Sequence, residues 1–234
     1  PSYSGYYIKR IFNKFLKFLD YLFIKKLRLD VTVPRKQRIK IQNYIRYCKK
    51  AMINDQLSFN QFKFSKDQRE KITKLSRGVN KEVFKKKEIN KDFLRKKYGI
   101  LKNQKVIFFC GRVHELKGVI LLSKIHKIIK RKINVVSILA GEDIHGEECI
   151  KIGGDKIKLI GYKTENEIAS FYNLCDLFVF PSKYEIGPQV VLEAKSCGAI
   201  CVVSPEGGGK RIYKSGEDGL IIKQYDAKKW GEAI

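Results

Sequence analysis

Two glutamates, Glu185 and Glu193, stand with seven residues between them in the stretch FPSKYEIGPQVVLEAKSCGAICVVSPEGGG, residues 180–209. Pro188 suits the first turn of a helix and Gly198 its C-terminal cap. Val190, Ala194 and Cys197 then share one face, expected on the core side. Glu193 lies three positions from Val190 and four from Cys197, so it leans onto that apolar face. A carboxylate there is unfavourable unless hydrogen bonds are donated to it. The paired hydroxyls of a ribose are such donors. Glu185 sits in the loop ahead of the helix, whose first N–H groups and positive dipole end suit an anion. One carboxylate for a sugar, one for a ribose and a phosphate site between them would hold a nucleotide sugar. A plain helix carrying two surface glutamates is the alternative.

Such residues need a rigid edge from which to project, and the chain supplies the elements for one. Leu177–Phe180 is a short apolar run stopped by Pro181 and Ser182, as a strand covered on both faces would be. Upstream, Val106–Cys110 is a second such run and leads into Gly111-Arg112. Lys117-Gly118 follows a short loop, then a helix with Leu121, Leu122, Ile125, Ile128 and Ile129 expected on its inner face. Val135–Ala140 ends at Gly141-Glu142-Asp143, and Ile157–Ile160 ends at Gly161-Tyr162. Glycines at strand ends admit close approach of a ligand to backbone at the carboxyl edge of a parallel sheet. Thr164 and Glu167 form a capping box for a helix carrying Ile168, Phe171, Tyr172 and Cys175. Ala199–Val203 and Leu220–Ile222 complete the strands, with Gly207 to Gly209 expected as a flexible turn. This βα rhythm predicts a doubly wound parallel α/β sheet.

The paired glutamates, the Ala194 that follows them, Cys197-Gly198 and the glycines 207 to 209 resemble the donor-binding core of retaining glycosyltransferase family 4. That family has the two-domain GT-B fold, and the resemblance extends over roughly residues 72–234. It implies that Arg112 and Lys117 grip the donor diphosphate. Two preorganised cations there stabilise the charge gained by a departing nucleoside diphosphate. With Glu185 they form the implied catalytic set. The same resemblance assigns Gly111, Gly187, Pro188, Gln189 and Glu193 to the donor, Gly161 and Tyr162 to the nucleobase, and Gly207 and Gly208 to the sugar and phosphates. One departure is Ile186-Gly187-Pro188-Gln189, where a Phe-Gly pair commonly follows the first glutamate. Pro188 removes one amide, which leaves those of Gly187 and Gln189 as candidates.

The implied reaction moves a sugar from a nucleoside diphosphate to a glycan or lipid-linked acceptor with retention, the leaving phosphate taking the acceptor proton. The nucleotide sugar is a substrate; no cofactor and no metal are expected, and His114, His126 and His145 do not converge by spacing. Two other readings stand beside it: a GT-B nucleotide-sugar epimerase, and a non-catalytic basic module for nucleic acid or anionic membrane.

The second of these draws on a formal charge of +25, from 49 Lys and Arg against 24 Asp and Glu. Such charge suits an anionic partner, yet Lys, Ile, Asn, Phe and Tyr are common together, as AT-rich coding produces. No aromatic-interleaved RNA platform stands out, so nucleic acid is the weaker expectation and peripheral contact with an anionic membrane the stronger. The six cysteines form no C-x-x-C pair and mostly sit in apolar runs, which points to reduced thiols in the cytoplasm. No apolar run approaches the roughly 20 residues that span a bilayer.

In 234 residues the reading is of residues 1–76 as the end of an N-terminal, acceptor-side domain, 77–104 as the interdomain connection and 105–234 as the nucleotide-sugar domain. Within the first, a basic amphipathic helix is expected from Ile8 to Phe23, a strand over Asp30–Val33, a helix over Lys36–Ala51 and a strand over Ile72–Leu75 that leads into a hinge turn at Ser76 to Asn80. Residues 54–70 carry no assignment. A short helix is expected over Lys91–Tyr98, and Asp226 caps a final helix that has only begun. Pro1 follows no Met, so the chain reads as a fragment, expected to bind donor without turning it over.

Overall fold

The structure is a computed structural model that describes residues 40, 43–53, 64–74, 78–185, 187–209, 212, 215–217 and 219–234. The expected helix over Ile8–Phe23, the strand over Asp30–Val33 and the turn residues Ser76 and Arg77 lie outside them. The chain divides into two compact units, Pro1–Ser76 and Arg77–Ile234.

In the first unit, residues 40 and 43–47 are helical, but the helix expected to reach Ala51 does not. Ala51 opens strand β1 (Ala51–Ile53), which pairs in parallel with β2 (Ile72–Lys74) in the register Ala51 to Ile72. Between them lies the short helix α1 (Lys66–Glu70). Ser65 and Gln68 close a capping box there, the Gln68 amide donating to Ser65 Oγ and the Ser65 amide to Gln68 Oε1. Ile45 and Phe64 are buried together, with Ala51 and Ile72 packed on them.

The second unit is built on one six-stranded parallel sheet: β3 (Lys105–Cys110), β4 (Val135–Ala140), β5 (Ile157–Gly161), β6 (Leu177–Phe180), β7 (Cys201–Val203) and β8 (Leu220–Ile221). The order across it is β5-β4-β3-β6-β7-β8. The chain therefore winds outward from β3 in one direction, returns to the centre, and winds outward from β6 in the other. The carboxyl ends of β3 and β6 flank the point of reversal, where sheets of this type open a crevice. Buried on both faces, β3, β4 and β6 are near-continuous apolar runs, which is why the sequence pattern finds them. Asp176 pins the amino ends of the central pair: its Oδ2 accepts the Val106 amide at 2.8 Å and its Oδ1 faces Lys105 Nζ at 3.1 Å.

Besides α1 and the helical residues 40 and 43–47, the described residues include the helices α2 (Lys91–Lys97), α3 (Val119–Ile129), α4 (Gly146–Gly153), α5 (Glu165–Leu174), α6 (Gln189–Ser196) and α7 (Ala227–Ala233). The core beneath α5 is aromatic, with Phe108 in contact with Phe171, Tyr172 and Phe178, and Tyr172 with Phe178. The stretch expected as a connection packs against this core as well. Phe84 and Ile100 are buried in it, and Asn173 receives the Lys87 amide and donates to the Lys85 carbonyl.

Helix α6 differs in phase from expectation. It begins at Gln189 with Pro188 at the N-cap, and Val191, Ala194 and Cys197 face the core while Val190 is only partly buried. Ala194 and Cys197 keep the expected face, and Val191, three positions before Ala194, takes the buried place expected of Val190. Gly198 follows the C-cap in a left-handed conformation, φ 80°. Ala199 closes this turn by donating to the Ala194 carbonyl, so β7 starts only at Cys201.

Candidate functional site

The carboxyl edge at the reversal point is held by close backbone contacts. A Cβ on Gly141 would stand 2.1 Å from the Gly111 carbonyl oxygen, so only glycine lets the loops after β3 and β4 approach this far. Val113 and Asp143 continue the pairing beyond the strands. Gly118 takes φ 81°, and a Cβ there would lie 2.0 Å from the Pro181 carbonyl oxygen. It thus sets the short 3-10 turn Glu115–Lys117 directly on the loop after β6, where the Lys183 amide donates to the Leu116 carbonyl at 2.9 Å.

This seating brings two of the expected catalytic residues together. Lys117 Nζ lies 2.6 Å from Glu185 Oε1, both side chains mostly buried. Ser182, fully buried, directs its hydroxyl within 3.1 Å of the same Glu185 oxygen. Its own carbonyl receives the Ser204 hydroxyl at 2.5 Å and the Tyr225 hydroxyl at 2.8 Å. Arg112, the third, is exposed at the end of β3 and makes no ion pair or side-chain hydrogen bond among the described residues. The first turn of α6 receives no side-chain cap, which leaves its leading amides directed out of the helix end.

Glu193 projects from the second turn of α6 and is partly buried. Its Oε2 accepts the Tyr172 hydroxyl at 3.3 Å. Burial lifts the carboxyl above its usual range, and the tyrosine hydrogen bond works against that lift. Cys110, at the end of β3, lies beside the same tyrosine; burial and then the Glu193 charge push its thiol up to about 12. It is no nucleophile at neutral pH.

The remaining expected residues are distributed unequally. Gly111 ends β3 with φ 146°. Gly187 and Pro188 lead into α6, and the Gln189 side-chain amide donates to the Gly78 carbonyl, turned to that upstream segment. Gly161 and Tyr162 end β5, the edge strand; Gly161 has open space where a Cβ would stand, and the Tyr162 ring is 86% exposed. Neither touches the Lys117–Glu185 pair. Gly207 and Gly208 are not a flexible turn. The Gly207 amide donates to Ser204 Oγ and the Gly208 amide to the Ser204 carbonyl, and a Cβ on Gly207 would lie 2.4 Å from that hydroxyl oxygen. Their amides are engaged within the protein, and their smallness lets β6 and β7 loops pack.

Sequence spacing missed three relationships. His114 and His145 do meet, ring centroids 4.8 Å apart and edge to face, because the Val113–Asp143 pairing draws their loops together. Ser182 and Tyr172, read from sequence as a strand stop and a core residue, each contact one of the two glutamates. Only the chemistry of a half-buried carboxylate, which demands a donor, hints at such partners. Among the described residues no three His, Cys, Asp or Glu side chains gather as metal ligands would. No helix among them is long and apolar enough to cross a membrane.

Comparison with known proteins agrees with this geometry. Residues 90–234 match the family described as glycosyl transferases group 1. An uncharacterized glycosyltransferase of Methanocaldococcus jannaschii, MJ1607, is 31% identical over 145 residues, 58% of this chain and 37% of that protein. A D-inositol 3-phosphate glycosyltransferase of Thermobispora bispora is 24% identical over 180 residues, 70% of this chain and 42% of that protein. The chain thus spans less than half the length of these curated relatives. Among solved structures, Anabaena Alr3699/HepE in complex with UDP and glucose superposes with a TM-score of 0.71 at 20% identity, over 86% of this chain and 56% of that one. That likeness is one of fold, the α/β arrangement of GT-B proteins. By its match over residues 90–234, this chain belongs to the group 1 glycosyl transferase family.

Proposed function

We propose that the chain supplies the donor-binding half of a transferase that moves a sugar from a nucleoside diphosphate to a glycan or lipid-linked acceptor, with retention at the anomeric carbon. The observation that carries this reading is the Lys117–Glu185 pair at the sheet's reversal point, beside a helix whose first turn is uncapped and whose second turn bears Glu193. In this reading Lys117 and Arg112 neutralise the diphosphate as it departs. Glu185 binds the sugar, and Glu193 accepts the ribose hydroxyls. Gly111, Gly187 and the Gln189 amide lie along the donor, and Tyr162 stacks on the base. The acceptor is met by an N-terminal, acceptor-side domain, of which residues 1–76 are the end, with 77–104 as the connection. The protein works in the cytoplasm, and its positive charge holds it against an anionic membrane bearing the acceptor.

The test is saturation binding of radiolabelled UDP- and GDP-sugars across a salt series, with RNA as the competing polyanion. A few fixed groups give a shallow salt dependence for the nucleotide sugar, whereas a nucleic-acid module gives a steep log–log slope. Saturable nucleotide-sugar binding supports the reading. A steep slope for RNA without saturable nucleotide-sugar binding overturns it.

A further inference from the structure

We infer that Tyr172 is a positioning residue for the nucleoside: its hydroxyl holds one oxygen of Glu193 so that the other is presented, correctly turned, to the ribose. The inference rests on the donor reading of Glu193 given above.

The Tyr172 ring cannot swing. It is 1% exposed and wedged edge-on against Phe108 and Phe178, each with its centroid 5.3 Å away, with Phe84 at 6.1 Å. A ring so enclosed fixes the position of its hydroxyl oxygen, which lies 3.3 Å from Glu193 Oε2 on the neighbouring helix and also beside the Cys110 thiol. Glu193 Oε1 accepts no hydrogen bond among the described residues. A half-buried carboxylate with one oxygen engaged is restricted in its rotation and keeps the other oxygen available as an acceptor. An unrestrained carboxylate would lose conformational freedom on binding a ligand, and pre-ordering reduces that cost. A second effect acts in the same direction. A donor to the ionised carboxylate favours the charged form, against the burial that raises Glu193. The groups facing this carboxyl are Tyr172 and Glu165 of α5, and Cys110 of β3 adjoins it through the tyrosine. Tyr172 is the one among them that stabilises the anion, since the Glu165 charge opposes it and the Cys110 thiol is neutral.

The experiment titrates UDP and inorganic pyrophosphate by calorimetry into the full chain, as wild type, Tyr172→Phe, Glu193→Gln and the double variant, between about pH 5 and pH 8. Phenylalanine keeps the ring and its packing and removes only the hydroxyl. Tyr172→Phe is expected to weaken UDP about tenfold and to leave pyrophosphate unchanged. In the Glu193→Gln background it should cost nothing further. The pH at which UDP affinity begins to fall on acidification should move upward in Tyr172→Phe, because its Glu193 protonates earlier. Equal losses for UDP and pyrophosphate, or a full loss retained in the double variant, would mean a merely structural tyrosine and overturn the inference. Unchanged UDP binding by Tyr172→Phe, with wild type binding normally, overturns it alone and leaves the donor reading standing. A wild type that binds pyrophosphate but no better as UDP overturns the donor reading, and this inference with it.

Discussion

Lys117 Nζ and Glu185 Oε1 stand 2.6 Å apart and tie the turn after β3 to the loop after β6, sixty-eight residues further along the chain. The two side chains are mostly buried, so each is the other's main compensation for lost water. In the proposed donor reading, an incoming diphosphate must therefore share a cation that is already engaged.

This sharing has opposite consequences for the two partners. Lys117→Ala removes the cation and leaves Glu185 facing the phosphates, and it should weaken pyrophosphate by about 2 kcal/mol or more. Glu185→Gln releases the lysine and should tighten pyrophosphate by up to about 1 kcal/mol, while weakening a UDP-sugar relative to UDP. Calorimetry with the three ligands separates the effects; a Glu185→Gln protein that loses pyrophosphate affinity contradicts the shared-cation account.

For Glu193, truncation tests the ribose assignment itself. Glu193→Ala should cost about 2–4 kcal/mol in UDP or GDP binding with little effect on pyrophosphate. Matching losses for the nucleotide and for pyrophosphate would remove Glu193 from the ribose.

Gly118 carries the seating of the lysine turn. Gly118→Ala places a methyl 2.0 Å from the Pro181 carbonyl oxygen in a left-handed conformation. The backbone must shift, and the expected destabilisation is about 2–4 kcal/mol. Urea unfolding reads this as a lower midpoint. Pyrophosphate affinity should fall too, since Lys117 moves with the turn; an unaltered midpoint would show that the turn adjusts freely.

Acid sensitivity should trace to a histidine remote from the site. His126 is fully buried on α3, its Nδ1 2.8 Å from Ser137 Oγ on β4, and burial, aided by Lys130, lowers it to about 4. Its unfolded value is about 6.5. Between these values the unfolded chain binds the proton and the folded chain does not, so stability rises with pH through that window. Acidification from pH 7 to pH 4 should remove on the order of 3 kcal/mol through this group. His126→Gln should flatten the pH dependence of the urea midpoint in that range, and an unflattened curve would assign the effect elsewhere.

The sheet was legible in the sequence because strands buried on both faces must be apolar throughout, as Val106–Cys110, Val135–Ala140 and Leu177–Phe180 are. Local caps were legible for a similar reason, since their partners lie three residues apart. Thr164 and Glu167 bond reciprocally, and Asp226 receives the Lys228 and Lys229 amides. Helix α4 was not, because the face that GEECIKIG buries is made of Gly146, Cys149 and Gly153, residues too small to stand out as an apolar stripe. The short strand β1, three residues long, lies below what periodicity resolves and stands where a helix to Ala51 was expected, whereas its partner β2 falls within the strand expected over Ile72–Leu75. At the site, spacing identified Glu185 and Glu193 but not what touches them. Lys117 and Ser182 reach Glu185 from different loops, and Tyr172 reaches Glu193 from a different helix. Such partners are set by strand order, which no local pattern encodes.

The frame around Lys117 and Glu185 is stitched largely by main-chain groups: Val113 with Asp143, His145 to Val113, Lys183 to Leu116. Peptide hydrogen bonds do not depend on which side chain a residue carries. Glu115, Glu142 and Tyr184, exposed along this rim, can therefore be exchanged without displacing the scaffold beneath them. If the proposed donor reading holds, a lineage can retune which sugar or base is accepted by drifting at those rim positions, while Gly118 and Gly141, where an added Cβ would stand 2.0 and 2.1 Å from a carbonyl oxygen, are held as glycine.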